Sequence, residues 1–450
     1  MLRGMIDYAS LIWHRNHFSA AQLRRYQERQ LLKLTDFAVR NSQFYRDSYS
    51  DIRVRSMQDF KNLPIINKQI MMDKFDELNT CGLRLEDVRS YALEKEKNKD
   101  YSGYYKDLFV IGLSSGTSGN KGIFVTPKEL TSRLPAVFLA RSGIPLRLLP
   151  FRILFLLRVF SQGFADIRSP LVSLTYLSTM EPINKIADSI REKGINVLMA
   201  PPSLIRLLLP LSGELKAYVR MIVTYAEVLE EEEKQRFKEA FGTEVVEIYQ
   251  ASEGQIGSPC RCGSLHINED LVLVELFDEN GNEVEKPGDV ATRMLVTNLV
   301  NYAQPLIRYE MNDLVVLGDP CPCGSSFRVI RKVLGRFDDV IFLRNSRREL
   351  QHVFPDLMSR WIITSSDNIR EFQVVQKGDS SLEIILDLFD MGGDAQRMLE
   401  DLLKRRFSEE LAEFGIEAEI SVRFEAIPLP EIMAKYKRFW ADKSIRGASG

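Results

Sequence analysis

Five residues in two short stretches name their own chemistry: Cys260, Cys262 and His266, then Cys321 and Cys323. Thiolate and imidazole are soft or borderline ligands. A Cys-x-Cys pair followed by glycine makes a tight turn that aims its sulfurs at one point, so the set suits structural zinc. The competing reading is reduced cysteines packed as small buried residues. A zinc hydrolase would need an open coordination position and a nearby base, and the spacing favours a filled site. The second candidate is the loop LSSGTSGNKG, Leu113 to Gly122, after the apolar FVIG. Its four hydroxyls, three glycines and lysine suit an anion, because small residues let backbone N–H groups approach phosphate oxygens while hydroxyls and Lys121 add donors and charge. It is not a Walker loop. Lys121 stands where the second glycine is required, and no Lys-Ser/Thr pair follows.

The elements that must position these groups change along the chain. Leu31, Leu34, Phe37 and Ala38 fall at helical spacing, so the first fifty residues read as helix. From Pro182 helices and short apolar strands alternate: a helix with Ile183, Ile186, Ala187 and Ile190 on one face ends at Gly194, and the strand INVLMA follows. Then come MIVTY, a charged helix from Glu230 to Ala240 before Gly242, and one strand TEVVEIY. This is an α/β pattern with parallel pairing and layered sheets and helices. After Gly335 the order becomes strand, strand, long helix, strand, a small C-terminal α+β domain. The expected domains are residues 1–336 and 337–450.

Composition excludes several classes. Sixty Lys and Arg against 62 Asp and Glu leave a net charge of −2, which makes neither a polybasic nucleic-acid binder nor an acidic tail. Hydrophobic residues at 45% and charged residues at 27% are those of a globular chain rather than a disordered one. Ile153 to Leu157 is bounded by Arg152 and Arg158, too short to span a bilayer. The first residues lack a signal-peptide core and cleavage site. Five cysteines, four of them in close pairs, point to reducing cytoplasm.

Six segments, in order, resemble the adenylate-forming superfamily of acyl- and aryl-CoA ligases. The loop Ser114–Ser115–Gly116–Thr117–Ser118–Gly119, with Lys121 and Gly122, is similar to its phosphate loop. Tyr225–Ala226–Glu227 resembles the segment lining the adenine pocket. Tyr249–Gly254 resembles the Tyr-Gly-x-Thr-Glu segment, with Gln250 for glycine and Ser252 for threonine. PLIRYEMNDL contains Asp313, GRFDD contains the hinge Arg336, and AKYKRF contains Lys435. The SPCRCG, CPCG and NSQFYRD segments look like phenylacetate–CoA ligase and capsule-associated relatives, nearest to a little-characterised group of adenylate-forming enzymes.

The resemblance implies that a small-molecule carboxylate attacks the α-phosphate of ATP, and that the acyl group then passes to a thiol such as CoA or an acyl carrier protein. It implies that Ser114–Lys121 hold phosphates and that Glu253 ligates Mg²⁺. Tyr249, Gln250, Ser252, Ala226 and Glu227 would line the nucleotide site, Asp313 and Arg336 would hold the ribose, and Lys435 would bridge carboxylate and α-phosphate. It also implies a zinc set of Cys260, His266, Cys321 and Cys323, with Cys262 spare or an alternative. One departure bears on the acceptor. Where that branch reads Arg-Gly-Val-Asn-Val-Phe-Pro after the hinge, this chain reads LRNSRRELQHVFPD, with Asn345 near the glycine's place. A rival reading is a degenerate relative that binds nucleotide without turnover. His14 and His17 share a helix face with nothing to complete a metal set, and Phe151, Phe155 and Phe160 are core or acyl pocket.

Overall fold

The computed structural model describes residues 2–98, 102–113, 122–157, 168–169, 171–179, 181–390, 392–428, 437–442 and 444–445. At its centre are five parallel strands, Phe151–Leu157, Val172–Ser178, Val197–Ala200, Met221–Thr224 and Glu244–Glu247. Taken in chain order they lie second, first, third, fourth, fifth across the sheet, with Arg168–Ser169 antiparallel at one edge. VLMA and MIVT are buried along their whole length because both faces are covered, as a parallel sheet requires. Alternate residues feed two cores. Leu154, Leu198 and Ile222 pack under the helices Ile183–Glu192 and Glu231–Phe241, while Ile153, Val197 and Val223 pack on the other face. The first helix of this pair ends where Gly194 takes φ +56°, and the second at Gly242 with φ +62°.

The expected strand TEVVEIY is two strands. Glu244–Glu247 completes the parallel sheet, and Tyr249–Ala251 enters a second sheet as the antiparallel partner of Gly254–Pro259. The chain changes sheets at Ile248, since Val245 and Val246 are buried between helices while Tyr249 joins a different core. That core carries the antiparallel strands of residues 249–336, and the amino-terminal helices cover it. Leu31, Leu34 and Ala38 of the helix Ala20–Asn41 point into it, and Phe37 stands edge-on to Tyr302.

Past the turn Phe337–Asp339, a hairpin, Ile341–Arg344 with Leu350–Val353, leads into the helix Pro355–Ile363. The strands Ile369–Gly378 and Ser381–Leu388, the helix Gly393–Ala412 and the strand Glu419–Phe424 then follow as the sequence pattern predicts. The short strand Phe439–Trp440 closes that sheet beside Ile369–Gly378. This C-terminal domain has its own apolar core, drawn from residues 341–441 alone.

Candidate functional site

In a doubly wound sheet of this order the ligand crevice lies at the carboxyl ends of the strands. Here those ends carry Pro201–Ser203, Tyr225–Glu227 and, two residues past the fifth strand, Tyr249. Ala226 takes φ +69°, a left-handed conformation that a residue with a Cβ adopts at a cost of about 1 kcal/mol, so the turn after the fourth strand is held by its surroundings. The Tyr225 hydroxyl reaches past the third strand to donate to the Leu156 carbonyl on the first. Glu227 accepts from the Ser203 amide at 3.0 Å and hydroxyl at 2.8 Å.

Ser252 and Glu253 form the two-residue turn of the hairpin in which Ala251 faces Gly254. Glu253 is therefore at a hairpin tip rather than a helix start. Asp313 pairs in register with Arg336 on the adjacent strand, their side chains 3.8 Å apart. The Tyr249 phenol lies beside them, and burial, reinforced by the charges of Asp313 and Glu253, pushes it well above the usual tyrosine range. The chain thus gathers Tyr249, Glu253, Asp313 and Arg336, while Gln250 is exposed on the same short strand. The loop residues Ser114, Ser115, Gly116, Thr117, Ser118, Gly119 and Lys121, and also Lys435 and Phe160, lie outside the described residues. The strands Phe109–Leu113 and Ile123–Pro127 that flank the loop pair antiparallel, and Gly122 is buried at the base.

Two features escaped the sequence reading. Asn298, Asn301 and Gln304, three residues apart and buried, form an amide ladder. Asn298 donates to the Glu253 carbonyl at 2.8 Å, Asn301 to the Val125 carbonyl at 2.8 Å, and Gln304 to the Ile123 carbonyl at 3.0 Å while accepting from the Val125 amide. The ladder fixes the Glu253 turn relative to the hairpin that bears the Ser/Gly loop. Its signal was the Asn-x-x-Asn-x-x-Gln spacing. The second is Lys68, whose ammonium is lowered by burial; the charge of Glu253 opposes that shift and Arg336 adds to it, which puts a further cation near this cluster.

The cysteine set converges. Ligating atoms of Cys260, His266, Cys321 and Cys323 lie within 4.8 Å of one another. Cys260 Sγ is 3.6 Å from Cys321 Sγ, and Cys323 Sγ is 3.5 Å from His266 Nε2. Ligands about 2.1–2.3 Å from a tetrahedral zinc stand about 3.4–3.8 Å apart, and these two pairs stand at that spacing. His266 Nδ1–H donates to the Phe327 carbonyl at 2.8 Å, which leaves Nε2 as the free lone pair. The amides of Cys262 and Cys323 turn back on the sulfurs of Cys260 and Cys321, and Gly263 and Gly324, at φ +80° and +82°, close the two turns. Cys262 is exposed and outside the cluster. These turns fasten the amino-terminal helix Leu2–His17: Ser325 and Ser326 donate to the carbonyls of Arg15 and Phe18, and Arg15 donates to Pro259. His14 is not a bare surface residue; its Nδ1 lies 3.0 Å from Asp270, which also holds the buried Arg141.

Asn345 caps its own turn, accepting from the amides of Arg347 and Glu349 at 2.9 Å. The left-handed position in this longer hairpin is Arg348, φ +63°. Lys437 is engaged over the Trp440 ring at 5.0 Å and lies 3.8 Å from Asp339 of the turn Phe337–Asp339. Phe151 and Phe155 are buried in the sheet core.

No family model and no curated protein matches this sequence. Solved structures do match its fold. 2-Hydroxyisobutyryl-CoA ligase in the postadenylation state, in complex with R3-HIB-AMP, is 15% identical; the match covers 96% of this chain and 92% of that one with a TM-score of 0.70. The same ligase with 2-HIB-AMP and CoA in the thioesterification state is 16% identical over 96% and 92%, with a TM-score of 0.58. A benzoate–CoA ligase from Burkholderia xenovorans LB400 is 16% identical over 73% and 68%, with a TM-score of 0.51. The chain shares its fold with these CoA ligases. No helix among the described residues is long and apolar enough to cross a membrane.

Proposed function

We propose that this protein activates a carboxylic acid as its acyl- or aryl-adenylate at the expense of ATP, and then transfers the acyl group to a thiol of CoA or of an acyl carrier protein. The observation that carries this reading is that Tyr225–Glu227 and Tyr249 follow adjacent strands at the carboxyl edge of the 2-1-3-4-5 sheet, and that Tyr249 lies beside Glu253 and the Asp313–Arg336 pair. An anion must attack a polyanion there, so the task is charge neutralisation and positioning. Glu253 is the Mg²⁺ ligand in this reading, a hard carboxylate presented on a rigid hairpin tip. Asp313 accepts from the ribose hydroxyls, and Arg336 beside it fixes that carboxylate. The loop Ser114–Lys121 holds the outer phosphates. Lys435 supplies the charge that develops between carboxylate and α-phosphate, and the engagement of Lys437 by Asp339 and Trp440 supports this assignment over the neighbouring lysine. Cys260, His266, Cys321 and Cys323 hold a structural zinc, which would cross-link two turns distant in sequence. The phenylacetate–CoA ligase branch is the nearest reading of the cysteine segments, and the cytoplasm the expected compartment.

ATP–pyrophosphate exchange across a panel of aryl and fatty acids tests the reaction. Wild-type exchange with at least one acid is expected. Lys435→Ala should abolish it while ATP still binds, Lys437→Ala should keep most of it, and Glu253→Gln should lower it about a hundredfold or more. ATP binding without exchange on any acid would leave a nucleotide binder without turnover. Metal analysis of protein purified without chelator should return close to one zinc per chain, and Cys321→Ser should lose it; protein free of zinc would remove the metal from the reading.

A further inference from the structure

A run of four glutamates, Glu230 to Glu233, begins the helix Glu231–Phe241, and the C-terminal domain sits on it. Beside that helix start runs an alternating line of buried charges. Glu233 holds the Arg206 guanidinium through Nε at 2.7 Å, and Arg206 Nη1 donates to Glu371 Oε2 at 3.1 Å. Glu371 takes Arg438 in a bidentate grip at 2.9 and 3.2 Å, and Arg438 Nη2 lies 4.0 Å from Glu227. The two ends of the line, with Arg206, belong to the large domain. The middle pair, Glu371 and Arg438, belongs to the small one. Arg206 is 2% exposed, one of the largest fully buried side chains among the described residues. Burial alone would raise the Glu371 carboxyl, but the charges of Arg438 and Arg206 outweigh it and hold it below the usual range.

Separation of the domains would leave Arg206 on Glu233, Arg438 on Glu371 and Glu227 on Ser203. Neither half would keep an uncompensated buried charge, which is the state that makes a broken buried ion pair expensive. The arrangement is therefore specific when joined and inexpensive to part. The 2-hydroxyisobutyryl-CoA ligase comparison adds a second observation: the likeness is 0.70 for its postadenylation state and 0.57 and 0.58 for its open and thioesterification structures.

We propose that Glu371 and Arg438 are positioning residues: as a pair they plug into Arg206 and Glu227 of the large domain, and so hold the small domain, with the lysine segment just before Arg438, in the arrangement that serves adenylation. This rests on the adenylation reading above for its chemistry, and on the ion-pair line for its mechanics. Main-chain bonds make the coupling stiff, since Val374 N donates to the Arg438 carbonyl at 2.7 Å and Gln373 reaches the Lys437 carbonyl at 3.3 Å. A shift of the plug therefore moves Lys437 and Arg438 with it.

The test is hydrogen exchange on the whole chain, wild type against Glu371→Gln, which keeps the side chain's size and removes the charge the two arginines share. Amides of the helices Pro202–Leu208 and Glu231–Phe241, on the large domain, should exchange about tenfold faster in the variant. Arg438→Lys, which keeps the charge and loses the bidentate grip, should fall between the two. With an acid found in the exchange panel, Glu371→Gln should lower kcat for ATP–pyrophosphate exchange about tenfold with KM for ATP unchanged, and should not slow transfer from supplied acyl-adenylate to thiol. Faster exchange confined to residues 369–388 and 437–442 would make the pair an internal brace of the small domain and overturn the proposal. So would adenylation and transfer falling together. If Glu371→Gln does not fold, Arg438→Lys decides by the same peptides. The peptide readout needs no substrate, so a wild type inactive on every acid would fail the adenylation reading while leaving the plug judged on its own.

Discussion

The interior of the C-terminal domain and its seam with the large domain are built from opposite materials. Inside, Phe372, Leu382, Leu403 and Phe407 are fully buried and Trp361 meets Phe407 edge-on at 5.0 Å. At the seam, contact is made by ion pairs: Arg206 with Glu371, Lys332 with Asp356, Arg360 with Glu232, and Arg236 with Asp367. An apolar cluster appears where the two domains are joined, with Leu314 and Leu334 meeting Val340, Phe342 and Phe354. Burial is non-directional and hard to undo, while paired charges can exchange protein partners for water. The domain is built to stay folded, and its seam to open.

The largest test of that contrast lies in the interior. Phe407→Ala should cost about 3–5 kcal/mol of small-domain stability, since it removes a ring from a filled core. Calorimetry should show the small-domain transition moving down while the large domain's stays; a common shift of both would mean that the two cores are one cooperative unit. A smaller effect concerns pH at the seam. Burial raises the Glu230 carboxyl to about 7; Lys332 opposes this, and Asp356 and Glu233 reinforce it. The docked state therefore favours the protonated acid. The stability this contributes is complete below the ordinary glutamate value and is lost as pH rises through about 7. Exchange protection of the helix Glu231–Phe241 should be greater at pH 5.5 than at pH 8, and Glu230→Gln should remove the difference. The smallest effect is expected at the rim. Arg360→Ala should change docking by about 0–1 kcal/mol and make it less sensitive to salt, because the pair with Glu232 is largely exposed. A loss as large as that of Glu371→Gln would place the grip at the rim instead.

The same contrast explains what the sequence disclosed. Periodicity revealed the helix ending at Gly242, the strands VLMA and MIVT, and the small domain's hairpin and long helix, because burial writes itself as a pattern of residue types. The cysteine set was legible because thiols have few other uses at such spacing. Charged pairs leave no comparable trace. Glu230 to Glu233 read only as the start of a charged helix, and Arg206 finds Glu371 across 165 residues. The break of TEVVEIY at Ile248 was hidden too, since each half is apolar enough for one strand. The Asn298–Asn301–Gln304 ladder was visible only as a spacing whose meaning depends on carbonyls supplied from residues 123–125 and 253.

The fastening of the amino-terminal helix has a consequence for how the chain is made. Ser325 closes on Arg15 across 310 residues, and Tyr45 donates to the Pro305 carbonyl across 260. These helices leave the ribosome before the partners that hold them, which follow 260 to 310 residues later. At about 5–20 residues per second, that is an interval of about 15–60 s during which Leu31, Leu34 and Tyr45 are without their final shelter. This segment cannot complete its core in the order of synthesis, and its apolar face is open to aggregation during that interval.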